Sequence, residues 1–135
     1  MLADTGELLR QAQAHAYALG AFNTYNLETT KAIIAAAEAK RAPIILQTGA
    51  SALKYAGFAN LSTLVLVAAR AAKVPVGVHL DHSRSLEEAA QCLKAGYASI
   101  MVDGSTSPYV DNIRLTREGV RLAIDHRATL EAELN

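Results

Sequence analysis

The stretch "VPVGVHLDHSRSLEEA", residues 74–89, decides the fold of this chain. Its first half is a short apolar run rich in valine, which is typical of a buried strand. Its second half contains helix formers after Ser85, with Glu88 three residues later in a capping-box pattern. A buried strand that leads directly into a helix predicts one unit of a parallel α/β sheet.

The same order of strand and helix repeats along the whole chain. We predict five strands, at residues 20–23, 42–49, 74–82, 97–105 and 128–135. We predict five helices, at residues 5–19, 26–41, 58–73, 85–96 and 109–127. Asp4 is the expected N-cap of the first helix, and Gly96 is expected just past the end of the fourth. Strict alternation of apolar strands with helices predicts parallel strands joined by right-handed crossovers.

Two α/β architectures fit this alternation, an open doubly wound sheet and a (β/α)8 TIM barrel. The first strand–helix turn, "GAFNTYN", lacks the G-x-G-x-x-G pattern of a dinucleotide-binding sheet. Polar side chains follow every predicted strand: Asn23, Thr48 and Ser51, Asp81 and His82, Asp103 and Ser105, and Glu131 and Glu133. Because barrel enzymes build their sites from many strand ends on one rim, we expect the TIM-barrel type.

The number of strands is too small for a complete barrel. A TIM barrel has eight strands and typically about 250 residues, whereas this sequence has 135 residues and five predicted strands. We therefore expect the chain to supply about the first five strands. Residues 1–135 would then be the N-terminal part of one barrel domain in a longer protein.

The overall composition gives no sign of a nucleic-acid or membrane partner. Thirteen basic and thirteen acidic side chains cancel, so no net charge would attract a polyanion. No apolar run approaches the roughly 18 residues of a membrane-spanning helix, and the N-terminus lacks an apolar signal-peptide core. The single cysteine, Cys92, cannot form an internal disulfide and is expected to be buried. We expect a cytoplasmic protein.

Three ionisable side chains end the central strand, namely His79, Asp81 and His82. Alternation in a strand places His79 and Asp81 on one face, and His82 follows where the chain leaves the strand. This pattern is compatible with general acid–base catalysis by Asp81 and with metal binding by His82 beside nearby carboxylates. It is also compatible with a purely structural strand end, in which His79 is a hydrogen-bonded core residue.

Further carboxylates follow the next two strands. Asp103 precedes Gly104 and could serve either this site or a turn. Glu131 and Glu133 alternate with apolar residues, so both point to one face, which is the interior in a barrel and solvent at an exposed sheet edge. Two inward carboxylates are costly unless they are paired or bound to a metal.

The lysines give no support for Schiff-base chemistry within this stretch, since that chemistry needs a desolvated lysine. Most lysines fall on predicted helices or their ends, and Lys54 falls in a predicted loop. The G-x-S-x-G elbow of serine hydrolases is also absent.

The chain resembles the N-terminal part of the class II, metal-dependent ketose-bisphosphate aldolases, which include fructose- and tagatose-bisphosphate aldolases. The matching segments, in family order, are "GAFNTYNLETTKAIIAAAEAKRAPIILQ", "KYAG", "VPVGVHLDH", "AGYASIMVDGS", "NIRLTREGV" and "LEAEL". The resemblance implies a lyase of carbohydrate metabolism, such as glycolysis, that cleaves a ketose 1,6-bisphosphate to glycerone phosphate and glyceraldehyde 3-phosphate. It also implies a phosphorylated sugar as the bound partner and a homo-oligomer.

The resemblance further implies roles at the metal centre. Asp81 corresponds to the aspartate that transfers a proton to or from the substrate hydroxyl. His82 corresponds to the first histidine ligand of a catalytic Zn²⁺, and Asp103 and Glu133 correspond to carboxylates near the metal. The resemblance also leaves room for a monovalent cation.

On the substrate side, Asn23 corresponds to an active-site asparagine of the family. Gly49 stands where the family has a serine that contacts a substrate phosphate, so Thr48 or Ser51 would have to replace that serine. We take Ser51 as the candidate.

The family's two other zinc histidines have no counterpart in this chain, because His15 and His126 fall on predicted helices. The isolated chain is therefore expected to lack catalysis. One alternative is a non-catalytic half-barrel with a structural or interaction role, and another is a different metal-assisted barrel lyase or isomerase. The identity of the ketose bisphosphate stays open.

Overall fold

The computed structural model describes residues 1–134, so Asn135, in the predicted fifth strand, lies outside the described residues. Along these residues the helices are α1 (Thr5–Ala14), α2 (Leu27–Lys40), α3 (Ala50–Ala56), α4 (Phe58–Ala71), α5 (Leu86–Ala95) and α6 (Tyr109–Asp125). The strands are β1 (Gly20–Asn23), β2 (Ile44–Gly49), β3 (Val76–Ser83), β4 (Ser99–Val102) and β5 (Thr129–Ala132).

The five strands form one parallel sheet in the order β1-β2-β3-β4-β5. Strands that are neighbours in sequence are therefore neighbours in space, and every carboxyl end lies along the same edge. A doubly wound sheet would instead reverse its strand order at a switch point. The expected α/β fold class of the TIM-barrel type, with this chain supplying the first five strands, is confirmed.

Local capping signals set three of the helix ends as predicted. Asp4 accepts a hydrogen bond from the Glu7 backbone N–H at the start of α1. Ser85 does the same for Glu88 at the start of α5, and Gly96 ends α5 in the left-handed conformation. The Glu88 carboxylate does not complete a capping box, because it accepts a hydrogen bond from the Ser83 hydroxyl instead.

Helix α3 was not predicted, and the placement of Lys54 in a loop is wrong because it lies on α3. This helix has seven residues and starts directly after β2 without a side-chain cap. Gly57 separates it from α4 with a positive φ of 84°, a backbone conformation that glycine adopts without a steric penalty. So short a segment carries almost no helical periodicity, which explains why the sequence pattern missed it.

The outer face of the sheet carries the main hydrophobic core. Alternate strand residues point to this face and are fully buried in one cluster: Leu46, Val76, Val78, Leu80 and Ile100. Cys92 lies in the same core as a free thiol, as expected. Burial of each large aliphatic side chain contributes about 1.5–3 kcal/mol, so this face holds the strands in register.

The inner face of the sheet is closed at its amino end by α1. Thr5 packs so closely against β3 that a Cβ on Gly77 would lie 2.6 Å from the Thr5 hydroxyl oxygen. The strand therefore needs glycine at position 77. Above this contact the inner face carries Gln47, His79 and Ser99 beside the apolar Ala21 and Ile45.

No single helix among residues 1–134 is long and apolar enough to cross a membrane. The consecutive helices α3 and α4 pass that test of length and composition only as a pair, and they are bent by 109°.

Candidate metal and active site

The carboxyl ends of the strands surround a pocket of about 400 Å³. Its lining comprises Asn23, Tyr25, Gly49, Ala50, Ser51, Asp81, His82, Arg84 and Asp103. Five of the six site residues expected from the sequence are thus brought together here. The sixth, Glu133, follows β5 and reaches the group through His82, with its carboxylate Oε2 lying 3.5 Å from His82 Nδ1.

An unusual backbone conformation directs His82 toward this pocket. His82 has a φ of 51°, in the left-handed region that non-glycine residues seldom adopt. The pairing of β3 with β4 is irregular between Leu80 and Ser83, as in a β-bulge that turns a side chain. Ordinary alternation would send Asp81 and His82 to opposite faces. The bulge instead places both side chains at the pocket.

Three ligand-type side chains converge at His82. Its Nδ1 lies 3.2 Å from Asp103 Oδ2 and 3.5 Å from Glu133 Oε2, and the three groups could hold a metal ion together. Tetrahedral ligands at 2.0–2.2 Å from zinc lie about 3.3–3.6 Å from one another. Of the two distances at His82, 3.5 Å falls within this range and 3.2 Å lies just below it, and the three ligand atoms all lie within 4.8 Å of one another, so the cluster could hold a metal ion.

Local electrostatics favour charged forms at this cluster. Hydrogen bonds from Ser105 hold the pKa of Asp103 at about 2, with smaller contributions from His82 and Arg84. The hydrogen bond to Asp103 raises the pKa of His82 above its ordinary value. Because a metal binds only the neutral imidazole, a proton on His82 competes with a metal ion at this site.

The Asp81 carboxylate lies on the inner side of the rim, and Gln47 orients it. Gln47 Nε2 donates a hydrogen bond of 3.0 Å to Asp81 Oδ1. Asp81 Oδ2 receives no hydrogen bond from any residue in the described part of the chain. Sequence reasoning did not single out Gln47. The available signal was the position of Gln47 in β2. Gln47 pairs with His79 on β3, and His79 lies on the same face as Asp81, so all three side chains point to the same side of the sheet.

His79 lies below the rim on the inner face, where it links three strands. Its Nδ1 forms a hydrogen bond with Ser99 Oγ on β4, and its Nε2 lies 3.6 Å from the Glu131 carboxylate on β5. Burial lowers the pKa of His79 to about 4. Nε2 has no hydrogen-bond partner among the described residues, so the expectation of a hydrogen-bonded core histidine holds for one ring nitrogen only.

The family's phosphate-contacting serine has two candidate replacements here, Thr48 and Ser51, and their side chains point in different directions. Thr48 is fully buried in the outer core, where its hydroxyl bonds the Tyr97 hydroxyl. Ser51 lines the pocket. Of the two, Ser51 alone can reach a bound molecule from this side.

Comparison with known proteins gives one family. The family model described as "Fructose-bisphosphate aldolase class-II" matches residues 3–135. A fructose-bisphosphate aldolase of Thermus caldophilus is 44% identical over 134 residues, covering 99% of this chain and 44% of that protein. A 6-phospho-5-dehydro-2-deoxy-D-gluconate aldolase of Bacillus licheniformis is 42% identical over 131 residues, covering 95% of this chain and 45% of that protein.

A solved structure shows the same spatial arrangement. The crystal structure of the YdjI aldolase from Escherichia coli K12 superposes with a TM-score of 0.94 at 35% identity. The match covers 100% of this chain and 53% of that one. The chain thus spans about half the length of the proteins that it matches.

Proposed function

This chain belongs to the class-II fructose-bisphosphate aldolase family, and we propose that its whole protein is a metal-dependent aldolase. The proposed reaction is retro-aldol cleavage of a ketose 1,6-bisphosphate, fructose or tagatose, to glycerone phosphate and glyceraldehyde 3-phosphate. The observation that carries the proposal is that Asp81, His82 and Asp103 line one pocket, with Glu133 beside it in contact with His82. This pairs an acid–base group with a ligand set at the rim where barrel enzymes carry their sites.

The metal in this proposal is Zn²⁺, held by His82 with Asp103 and Glu133 as further ligands or close carboxylates. When bound, such a metal supplies Lewis-acid polarisation of a carbonyl oxygen. Asp103 is suited to this place because Ser105 satisfies its other oxygen, Oδ1, through a backbone hydrogen bond of 3.0 Å. A monovalent cation is a further part of the proposal.

Asp81 is the proposed acid–base residue. Its Oδ2 would accept the proton of the substrate hydroxyl β to the ketone while Gln47 holds Oδ1. The oxygen lone pair then forms the aldehyde C=O, the adjacent C–C bond breaks, and its electron pair passes to the enediolate, which takes up a proton at that carbon to give glycerone phosphate. The same carboxyl group returns the proton in the condensation direction.

The remaining pocket residues are assigned to substrate binding. Asn23 and Ser51 line the pocket on the β1 and β2 side, opposite Asp103. Their amide and hydroxyl groups can donate hydrogen bonds to sugar and phosphate oxygens. They would thus orient the substrate without taking part in bond cleavage.

We also propose that residues 1–135 are the N-terminal part of one aldolase-type barrel domain. Support comes from the family match to residues 3–135 and from the coverage of 44% of the relative from Thermus caldophilus. The remaining metal ligands would then come from the rest of the domain, in a cytoplasmic homo-oligomer.

A second substrate class is favoured by one specific similarity. The Bacillus licheniformis relative is named for an aldolase of 6-phospho-5-dehydro-2-deoxy-D-gluconate and is nearly as similar as the fructose-bisphosphate aldolases. The residues of this pocket would serve both substrates, since both reactions cleave a C–C bond beside a hydroxyl and a phosphorylated ketone.

The test is turnover by the purified full-length protein with fructose 1,6-bisphosphate, tagatose 1,6-bisphosphate and 6-phospho-5-dehydro-2-deoxy-D-gluconate. We expect cleavage of one of them, complete loss of activity with EDTA and recovery with Zn²⁺. Cleavage that persists after the metal has been removed would contradict the mechanism. A protein that contains no metal and cleaves none of the three would support the non-catalytic alternative.

A further inference from the structure

Arg84 is the one permanently cationic side chain among the described residues that line the pocket. It follows β3 and precedes α5, two residues after His82. Its guanidinium remains charged at every physiological pH. Sequence reasoning did not assign it a role.

The backbone on both sides of Arg84 is firmly anchored. Ser83 is fully buried, and its hydroxyl lies 2.7 Å from the Glu88 carboxylate and accepts the Ser85 backbone N–H. Ser85 in turn caps α5 through the Glu88 backbone N–H. A residue held between two such anchors can present a long side chain in a defined direction at a lower entropic cost.

Most of the hydrogen-bonding capacity of this guanidinium is unused. Within the described residues its one ion pair joins Nε to Asp103 Oδ2 at 3.8 Å, and 65% of the side chain is exposed. Asp103 already accepts hydrogen bonds from His82 and Ser105. An exposed pair at this distance contributes little, and a guanidinium has five N–H donors. The terminal nitrogens are therefore available to a molecule in the pocket.

The negative charge of the carboxylates around the pocket would repel an anionic substrate unless a cation lay nearby. Asp81 and Asp103 line it and Glu133 lies beside it, so a phosphorylated substrate would meet carboxylates on several sides. We propose that Arg84 binds an anionic group of the substrate, a phosphate or a carboxylate, and selects substrates that carry one. This inference rests on the proposed aldolase function, and it adds a specificity-determining residue to that site.

The direct test measures anion binding without turnover. Inorganic phosphate and acetate are titrated by calorimetry into the full-length protein with its metal, and into Arg84→Gln and Arg84→Lys. Arg114→Gln is the matched control, because Arg114 is an exposed arginine paired with Asp111 outside the pocket. Equal metal content and equal melting temperature of the four proteins ensure that affinities are compared between folded, loaded proteins.

We expect Arg84→Gln to weaken binding of at least one anion by about tenfold or more, as for a lost charge-assisted hydrogen bond. The anion affinity of Arg84→Lys should fall between that of Arg84→Gln and that of the unchanged protein, since lysine keeps the charge and loses the planar fork. Arg114→Gln should bind like the unchanged protein. The proposal would be overturned if Arg84→Gln bound both anions with affinities within twofold of those of the unchanged protein, whatever the protein catalyses.

Kinetics then identify which anionic group is bound. In the condensation direction, aldehydes that carry a phosphate, a carboxylate or no charge are compared as acceptors. Arg84→Gln should raise KM for one anionic acceptor by about tenfold or more, and it should change KM for the uncharged acceptor by less than twofold. An equal loss with all three acceptors would overturn the selective role. Absence of cleavage with every substrate, together with Arg84-dependent phosphate binding, would reject the aldolase function and leave the anion site standing.

Discussion

At the scale of single residues, the conformation of His82 is the feature on which the site depends. A non-glycine residue in the left-handed region costs on the order of 1–3 kcal/mol, and His82 is the one such residue among those described that lies in a strand, since Ala16, Arg41 and Arg127 lie at helix ends. Here it brings the imidazole within 3.2 Å of Asp103 and 3.5 Å of Glu133. Three strands thus contribute one group each to a single cluster.

Substitution of Asp81 and of His82 should separate catalysis from metal binding in the full-length protein. Asp81→Ala should lower kcat by about 100- to 10,000-fold, as expected for a lost acid–base group, and should leave one Zn²⁺ bound. His82→Ala should lose the metal. Elemental analysis and turnover on the same samples check both, with the exposed Asp125→Ala as control. Loss of zinc from Asp81→Ala would show that the two roles are assigned wrongly.

His79 should make stability sensitive to mild acid. Burial lowers its pKa from 6.5 to about 4, so between these values the unfolded chain binds a proton that the folded chain excludes. Stability should therefore fall as the pH decreases from 6.5 toward 4 and level off below that. At about 1.4 kcal/mol per pH unit, the whole window amounts to roughly 3 kcal/mol.

The measurement is the free energy of unfolding of the full-length protein in EDTA across this pH range. His79→Gln should flatten the slope, whereas His15→Gln, at an exposed end of α1, should retain it. Titrating groups distant from His79 contribute equally to all three proteins. The assignment fails if the His79→Gln curve keeps the full slope of the unchanged protein.

At the scale of secondary-structure elements, the connection from β3 to α5 determines how precisely the site is built. Ser83, Ser85 and Glu88 share a set of hydrogen bonds that ends the strand and begins the helix within three residues. Both His82 and Arg84 lie in or beside this connection. A rigid connection therefore fixes the positions of both His82 in the metal cluster and Arg84 at the proposed anion contact.

Removal of the α5 cap should weaken this connection. Ser85→Ala deletes the oxygen that accepts the Glu88 N–H, and loss of a serine N-cap typically costs about 1 kcal/mol. Chemical denaturation should show that loss, while Ser107→Ala, at an exposed loop position, should change stability by less than about 0.5 kcal/mol. Equal stability of the two variants would contradict the capping role.

At the scale of the whole molecule, the sheet formed by residues 1–134 ends at β1 on one side and β5 on the other, and neither edge pairs with another described strand. Beside β1 and α2 lies an apolar cleft of about 460 Å³ that includes Phe22, Ile33 and Ile44. Unpaired parallel strands beside exposed apolar surface are ready to associate with other chains. Further strands of a barrel would cover both edges.

Residues 1–135 produced alone should therefore self-associate, bind zinc weakly and cleave no bisphosphate. Light scattering after size exclusion should give a mass above 14.3 kDa that rises with concentration. Zinc titration should show weaker binding than in the full-length protein, because three candidate ligands with one histidine do not complete a catalytic zinc site. EDTA-sensitive cleavage of fructose 1,6-bisphosphate by a monomeric 135-residue chain would refute this prediction.

The sequence by itself determined the fold class, the five strands and most helix ends. These features depend on local patterns, since alternation of apolar strands with helices predicts parallel pairing, and parallel strands place all their carboxyl ends on one edge. The roles of the six site residues come from the resemblance of the sequence to the class II aldolases, and they stay predictions. Only the tertiary structure decided the directions of individual side chains. The bulge turned His82 to the pocket, Gln47 came within hydrogen-bond distance of Asp81, and Arg84 joined the lining of the pocket. Those outcomes depend on backbone dihedrals and on contacts between residues distant in sequence, which no local pattern records.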